Sequence, residues 1–150
     1  MVNKRTRIDL GVLLGLAYMS FVDDLNAKLK KSGFRDLGRW YGYVFRALDA
    51  EPLTSSALGR RLGMTHQGAM KIVDEMEARG YVERPEDAVD GRLKRLRLAP
   101  RGRKALRVAR AFHEKFEAGL GRARAKKLRA ILDGIVGWDG TGPPRVLRPM

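Results

Sequence analysis

The fold is decided by one stretch, Leu53–Leu98, which reads LTSSALGRRLGMTHQGAMKIVDEMEARGYVERPEDAVDGRLKRLRL. Thr54 is a predicted N-cap of a short helix, because a threonine oxygen can accept a bond from an unsatisfied backbone N–H. Gly63 ends that helix, and Thr65 is the predicted cap of a longer helix over about His66–Arg79. The stretch therefore predicts two helices joined by a tight turn.

A β-hairpin follows the second of these helices. Tyr81–Arg84 and Leu93–Leu98 are predicted strands, since leucine and arginine alternate in the second as in a half-buried strand. The polar connection Pro85–Gly91 is rich in turn residues. The order is that of a helix-turn-helix with a wing, in which the second helix lies in the DNA major groove.

Helices are predicted on both sides of this region. The first spans about Thr6–Lys31 and is apolar nearly all round between Leu10 and Val22, so it needs a cover such as a partner subunit. The others span about Asp36–Leu48, Pro100–Leu120 and Arg122–Val136.

The predicted fold class is mainly α with a small β-hairpin wing, in a single subunit. A winged helix-turn-helix lobe occupies about residues 36–98, dimerisation helices occupy about 6–31 and 100–136, and a tail rich in Gly and Pro occupies 137–150.

Composition narrows the class of partner. Lys and Arg total 31 against 17 Asp and Glu, a formal net charge of +14, which indicates nucleic acid, an anionic membrane surface or an acidic protein. The chain has no cysteine, which excludes disulfides, thiolate zinc sites and cysteine redox sensing and fits a cytoplasmic protein. The apolar stretch falls short of the roughly 20 residues of a membrane span. The N-terminus resembles a signal peptide, but no small-residue cleavage site precedes Asp23 and Asp24.

The second helix of the predicted motif has a core face and a DNA face. A helical wheel assigns to the core Ala69, Ile72, Val73 and Met76, and to the opposite side Gln67, Met70, Lys71 and Asp74. Glutamine can pair with adenine and lysine can reach guanine or phosphate. Gly68 leaves room for close backbone approach.

Basic residues without an intervening acidic residue continue from the second strand into the next helix: Arg92, Lys94, Arg95, Arg97, Arg101, Arg103, Lys104, Arg107 and Arg110. They predict positive potential beside the recognition helix, with Arg101 and Arg103 acting mainly through DNA phosphates. The alternative is a solvated basic face.

The stretch Leu53–Leu98 resembles the central domain of the MarR family. The shared features are the L-T-x-x-x-L start, the L-G-x-[ST] turn, the V-D-x-[LM]-E-x-[RK]-G-[YL]-[VI]-x-R exit and the D-x-R wing followed by basic residues. One departure is Ala99-Pro100 where the family commonly has threonine at the start of the fifth helix, so the usual cap there is missing.

The resemblance implies a homodimeric, sequence-specific DNA-binding transcription regulator, in the family's manner a repressor released by a small molecule, acting on a pseudo-palindromic operator in double-stranded DNA. It implies that Asp90 orients the wing and that Arg92 enters the minor groove. The predicted DNA-binding residues are Thr65, His66, Gln67, Gly68, Met70, Lys71, Asp90, Arg92, Lys94 and Arg95. The alternative is a basic architectural protein that binds DNA without sequence preference.

The aromatic residues around the second helix have two interpretations. They either fill the core or line the cleft in which MarR-type proteins bind small aromatic effectors; the predicted ligand-binding residues are Tyr18, Trp40, Tyr41 and Phe45. The positive charge favours an anionic effector such as an aromatic carboxylate. His66 and His113 lack partners at metal-ligand spacing, and no catalytic or cofactor-binding motif occurs, so neither an enzyme nor a cofactor is expected.

Overall fold

The computed structural model describes residues 7–85 and 95–137, and it divides at Arg35 and Asp36 into two compact units. Helix α1, Leu10–Lys31, makes up most of the first unit. It begins later than predicted, because residues 7–9 are not helical. It ends as expected at Ser32 and Gly33, where a positive φ of 93° lets the Phe34 amide bond back to the Leu29 carbonyl at 3.0 Å.

Most of the α1 surface remains apolar and exposed in this unit. Leu10 is 69% exposed and Met19 is 58% exposed, whereas Leu29 is buried. By length and composition alone, α1 could cross a membrane, whereas the apolar stretch in the sequence was judged too short to do so. A helix that is covered by protein passes the same test of length and composition. The apolar surface is the feature that a function must account for.

The second unit contains all the other elements. They are α2 (Tyr41–Ala50), α3 (Ser55–Leu62), α4 (His66–Ala78), β1 (Val82–Glu83), β2 (Arg97–Leu98), α5 (Pro100–Leu120) and α6 (Arg122–Val136). Helices α3, α4, α5 and α6 agree with prediction to within about a residue. The expected class, mainly α with a small hairpin, is confirmed.

Within the second unit, helix α2 and the hairpin differ from prediction. Helix α2 begins at Tyr41 instead of Asp36, because Asp36 makes tertiary bonds with Arg101 of α5 and with Tyr81. Among the described residues, the paired part of the hairpin is also shorter than predicted, with Val82 opposite Leu98 in an antiparallel register. A bridge between Leu53 and Leu96, with backbone bonds of 3.2 and 2.7 Å, adds a third extended segment that the sequence did not reveal.

The core of this unit lies among α2, α3, α4, the hairpin and the first half of α5. Its largest fully enclosed side chains are Val44, Leu58, Val73, Met76, Tyr81, Val82, Leu96 and Leu106. Helix α6, in contrast, has no buried residue and exposes Ile131 and Ile135.

Helix α5 begins against the backbone of Tyr81. The Ala99 amide donates to the Tyr81 carbonyl at 3.0 Å, and a Cβ placed on Gly102 would lie 2.2 Å from that oxygen. Ala99 provides no side-chain cap, as its apolar side chain dictates, and Pro100 occupies the first turn. Close backbone contact thus fixes the start of α5.

Candidate nucleic-acid interface

Helices α3 and α4 form a tightly crossed pair. Gly63 has a left-handed φ of 63°, and the Met64 amide bonds to the Gly59 carbonyl at 2.9 Å. A Cβ on Gly59 would lie 3.4 Å from the Ala69 Cβ and 3.3 Å from the Met64 carbonyl oxygen. Small residues at the crossing therefore allow the close approach that the turn requires.

Both predicted N-caps form. The Thr54 hydroxyl oxygen accepts from the Ala57 amide at 3.1 Å, and the Thr65 oxygen accepts from the Gly68 amide at 3.1 Å. A Cβ on Gly68 would lie 3.2 Å from that Thr65 oxygen, so glycine gives the cap room. The first turn of α4 is consequently well defined.

The two faces of α4 are those that the helical wheel predicts. Ala69, Val73 and Met76 are fully buried, and Ile72 is half-buried. Of the predicted DNA-contacting residues, Thr65, His66, Gln67 and Lys71 are exposed, whereas Gly68 and Met70 are half-buried. The structure thus brings the α4 members of the predicted set together on one exposed surface, which we call the α4 surface (Thr65, His66, Gln67 and Lys71).

The predicted wing residues Asp90, Arg92 and Lys94 lie outside the described residues, and Arg95, beside them, is exposed. The base of the hairpin is held by ion pairs. Arg84 pairs with Asp74 of α4 at 2.7 Å, and Arg97 pairs with Glu83 across the strands at 2.6 Å. Asp74, predicted on the DNA side of α4, therefore links that helix to the hairpin.

The basic block is not a uniform solvated face. Arg101 donates to the Asp36 carboxylate at 3.2 Å, and its guanidinium lies 4.3 Å from the Tyr81 ring centroid. Arg103 donates to the Leu98 carbonyl at 2.6 Å. Both side chains thus bond within the subunit, although Arg103 remains exposed and Arg101 is half-buried. Their contact with DNA phosphates stays a prediction. Lys104 and Arg107 remain exposed on α5.

A polar network that the sequence did not reveal surrounds Asp36. The Tyr81 hydroxyl donates to its carboxylate, and this bond, with the Arg101 charge, lowers the pKa of Asp36 against the opposing effect of burial. Burial and the same bond raise the pKa of Tyr81 to about 12. The Tyr81 hydroxyl therefore stays protonated and keeps donating at neutral pH.

The network continues to the C-terminal end of α4. Tyr41 donates to Glu75 at 2.5 Å and accepts from Arg79 at 3.0 Å. Burial, reinforced by Glu75, raises the pKa of Tyr41. Arg79 also donates to the Asp36 backbone carbonyl at 2.5 Å. The end of α4 remote from its exposed first turn is therefore fastened to the start of α2.

The predicted ligand-binding residues fall into different environments. Tyr41 and Phe45 are 2% and 3% exposed and pack against Tyr81 with ring centroids 5.6 and 5.7 Å away, which supports the core interpretation for these two. Trp40 is half-buried and edge-on to Tyr43, whereas Tyr18, in the first unit, is 50% exposed.

The two histidines have polar neighbours rather than metal-binding ones. His113 lies 3.1 Å from Arg46, and since an arginine only donates, the His113 Nε2 accepts. Burial, then the Arg46 charge, lowers the pKa of His113. Ser56 Oγ lies 3.2 Å from His66 Nδ1. Within residues 7–85 and 95–137, no group of His, Asp and Glu side chains could hold a metal ion.

Comparison with known proteins finds a family match for the central region of the chain. Residues 35–93 match the model of the MarR family, the resemblance that the motifs carried. No match is found among curated proteins.

Solved structures share the fold across most of the chain. The Mycobacterium tuberculosis MarR family protein Rv2887 in complex with salicylic acid is 25% identical, with 87% of this chain and 98% of that chain covered and a TM-score of 0.57. The complex of Rv2887 with DNA is 24% identical over 86% and 98%, with a TM-score of 0.60. S. aureus MepR bound to ethidium bromide is 18% identical over 87% and 96%, with a TM-score of 0.64.

Proposed function

We propose that this protein is a sequence-specific, DNA-binding transcription regulator and not an enzyme, because residues 35–93 match the model of the MarR family. The observation that carries the proposal is the α4 surface, a capped first turn that exposes Gln67 and Lys71 opposite a buried face. That geometry fits a recognition helix in the major groove. Rv2887, which shares the fold, has been crystallised with DNA.

The regulator acts as a homodimer in the cytoplasm. The exposed apolar residues of α1 and α6 support this, since a second copy would remove them from water. A two-fold axis places two recognition helices in successive major grooves, about 10 base pairs apart, so the operator is a pseudo-palindrome. Asp90 and Arg92 would place the wing in the minor groove, flanked by Lys94 and Arg95.

Selection of bound fragments from random duplexes, followed by footprinting, tests this function. A palindromic motif with a defined footprint is the expected result. Uniform coverage of any duplex would instead favour a basic architectural protein. Gln67→Ala should change the preferred base at one position in each half-site, with a discrimination loss of about 1–3 kcal/mol, while Lys115→Ala on the exposed side of α5 serves as the control.

Sedimentation at micromolar concentration tests the assembly. Twice the monomer mass is expected for the native protein. The measured mass should fall to that of the monomer when Ile131 and Ile135 of α6 are replaced by glutamate. A monomer that binds its operator as tightly as the native protein would contradict the dimer.

A small aromatic anion releases the regulator from DNA. Rv2887 has been crystallised with salicylic acid and MepR has been solved bound to ethidium bromide, and both share this fold. In the second unit, Trp40 keeps exposed surface for such a ring, whereas Tyr41 and Phe45 would support it from the core. Tenfold weaker operator binding needs about 1.4 kcal/mol of coupling. A screen of aromatic carboxylates that leaves melting temperature and operator affinity unchanged would reject the effector while leaving DNA binding intact.

A further inference from the structure

The first residue of α4 is held by a side chain of α3. The Ser56 Oγ lies 3.2 Å from the His66 Nδ1, and both residues are exposed at the same edge of the helix pair. Among the described residues, this is the one hydrogen bond of the His66 ring. The other ring nitrogen, Nε2, is thus available to a partner that approaches the α4 surface.

The direction of the bond with Ser56 determines what Nε2 can offer, because a serine hydroxyl can either donate to Nδ1 or accept from it. A neutral imidazole carries one N–H, and the tautomer is set by the partner of the other nitrogen. When the Ser56 hydroxyl donates to Nδ1, the proton resides on Nε2, which becomes a donor. DNA presents mainly acceptors there, because phosphate oxygens and the N7 and O6 atoms of purines all accept.

We infer that Ser56 is a positioning residue for DNA recognition, which holds the His66 imidazole so that its Nε2–H donates to an acceptor on the DNA. The inference rests on the proposed function, since it requires a duplex against the α4 surface. It adds to the predicted recognition set a residue of α3 that acts through His66 and has no need to touch the DNA.

A double-mutant cycle with the selected operator tests this role. His66→Ala should weaken binding about tenfold, and Ser56→Ala about three- to tenfold, in line with the loss of one hydrogen bond. In the His66→Ala background, Ser56→Ala should have no further effect, because its only route to DNA is gone. Ser56→Thr should retain native affinity, and Ser55→Ala, one residue away on the same turn, is the matched control.

The tautomer of His66 provides a second measurement, which would not change on substitution of Ser56 if that serine had only a structural role. In the free protein, ¹⁵N spectra of the imidazole should show the proton on Nε2 of His66, and Ser56→Ala should give a mixture of tautomers. Parallel titrations with operator and with an unrelated duplex distinguish the acceptor. If Ser56→Ala loses the same affinity for both duplexes, the acceptor is a phosphate. If it loses affinity only for the operator, the acceptor is a purine edge.

Two results would overturn the inference in distinguishable ways. If the native protein binds the operator and a folded Ser56→Ala variant binds it with the same affinity, the role of Ser56 alone is rejected. Additive losses of affinity in the double-mutant cycle would have the same meaning. Native protein that binds no duplex would reject the proposed function and this role with it.

Discussion

The guanidinium of Arg101 lies over the Tyr81 ring, 4.3 Å from its centroid, and donates to the Asp36 carboxylate at 3.2 Å. It also donates to the Arg79 carbonyl. One side chain of α5 thereby joins the start of the second unit to the segment between α4 and the hairpin.

Arg101→Ala should therefore lower stability and leave the salt dependence of DNA binding nearly unchanged. The lost bonds and ring contact predict a destabilisation of about 1–3 kcal/mol. Denaturant unfolding measures the first quantity, and operator titrations between about 50 and 200 mM salt measure the second. Arg107→Ala, an exposed neighbour on α5, is the control, with native stability. A reduced salt slope in a stable Arg101→Ala protein would restore the phosphate role.

Gly102→Ala should destabilise the protein by about 1–3 kcal/mol, because the new methyl group would lie 2.2 Å from the Tyr81 carbonyl oxygen and force α5 away. Gly119→Ala, in the same helix with nothing within 4 Å, should be neutral or more stable by up to about 1 kcal/mol. Thermal unfolding of both variants compares them, and equal melting temperatures would contradict the close contact.

Asp36→Asn should destabilise the protein at neutral pH, and its deficit should shrink in acid. The folded-state pKa of Asp36 is lowered, chiefly by the Tyr81 hydroxyl bond, so its stabilisation is present above the usual carboxyl range and is lost as pH falls through the lowered pKa. Unfolding of native and variant proteins at a series of values between about pH 7 and pH 3 measures the difference. A deficit that does not change with pH would mean that the carboxylate charge is irrelevant.

Thr54→Ala and Thr65→Ala should each cost about 1 kcal/mol of stability, because each removes an N-cap oxygen. Their operator affinities should differ. Thr65 lies on the α4 surface, and loss of its cap loosens the first turn that meets the DNA, so only Thr65→Ala should weaken binding severalfold at a temperature where both variants are folded. Operator-binding assays on the two variants make the comparison. An equal loss of affinity in both would mean that the start of α3 contributes to DNA binding as much as the start of α4 does.

Local chemistry made much of this fold predictable. Thr54, Thr65 and Gly63 define helix ends through their own backbone and side-chain geometry, so the two helices of the motif were correctly predicted. The buried and exposed sides of α4 follow from periodicity, with Met70 and Ile72, both half-buried, as exceptions.

What was missed depends on partners that are distant in sequence. A single bridge between Leu53 and Leu96 has no periodic pattern, and nothing near Asp36 signals that Tyr81 and Arg101 will bind it. The same holds for Ser56 and His66, which come together because α3 and α4 cross closely. The positive charge of Arg101 was visible in the sequence, but its ring and carboxylate partners were not.

The bridge between Leu53 and Leu96 closes the helix-turn-helix into a loop whose two ends are clasped by a pair of backbone bonds. Neither end can detach without releasing the other, so the approach to α3 and the return arm of the hairpin open as one cooperative unit. The amides of Leu53 and Leu96 should accordingly exchange with deuterium at matched rates. A displacement of the hairpin would then be transmitted to α3 through these main-chain hydrogen bonds. Side-chain substitutions in the hairpin would leave this coupling intact.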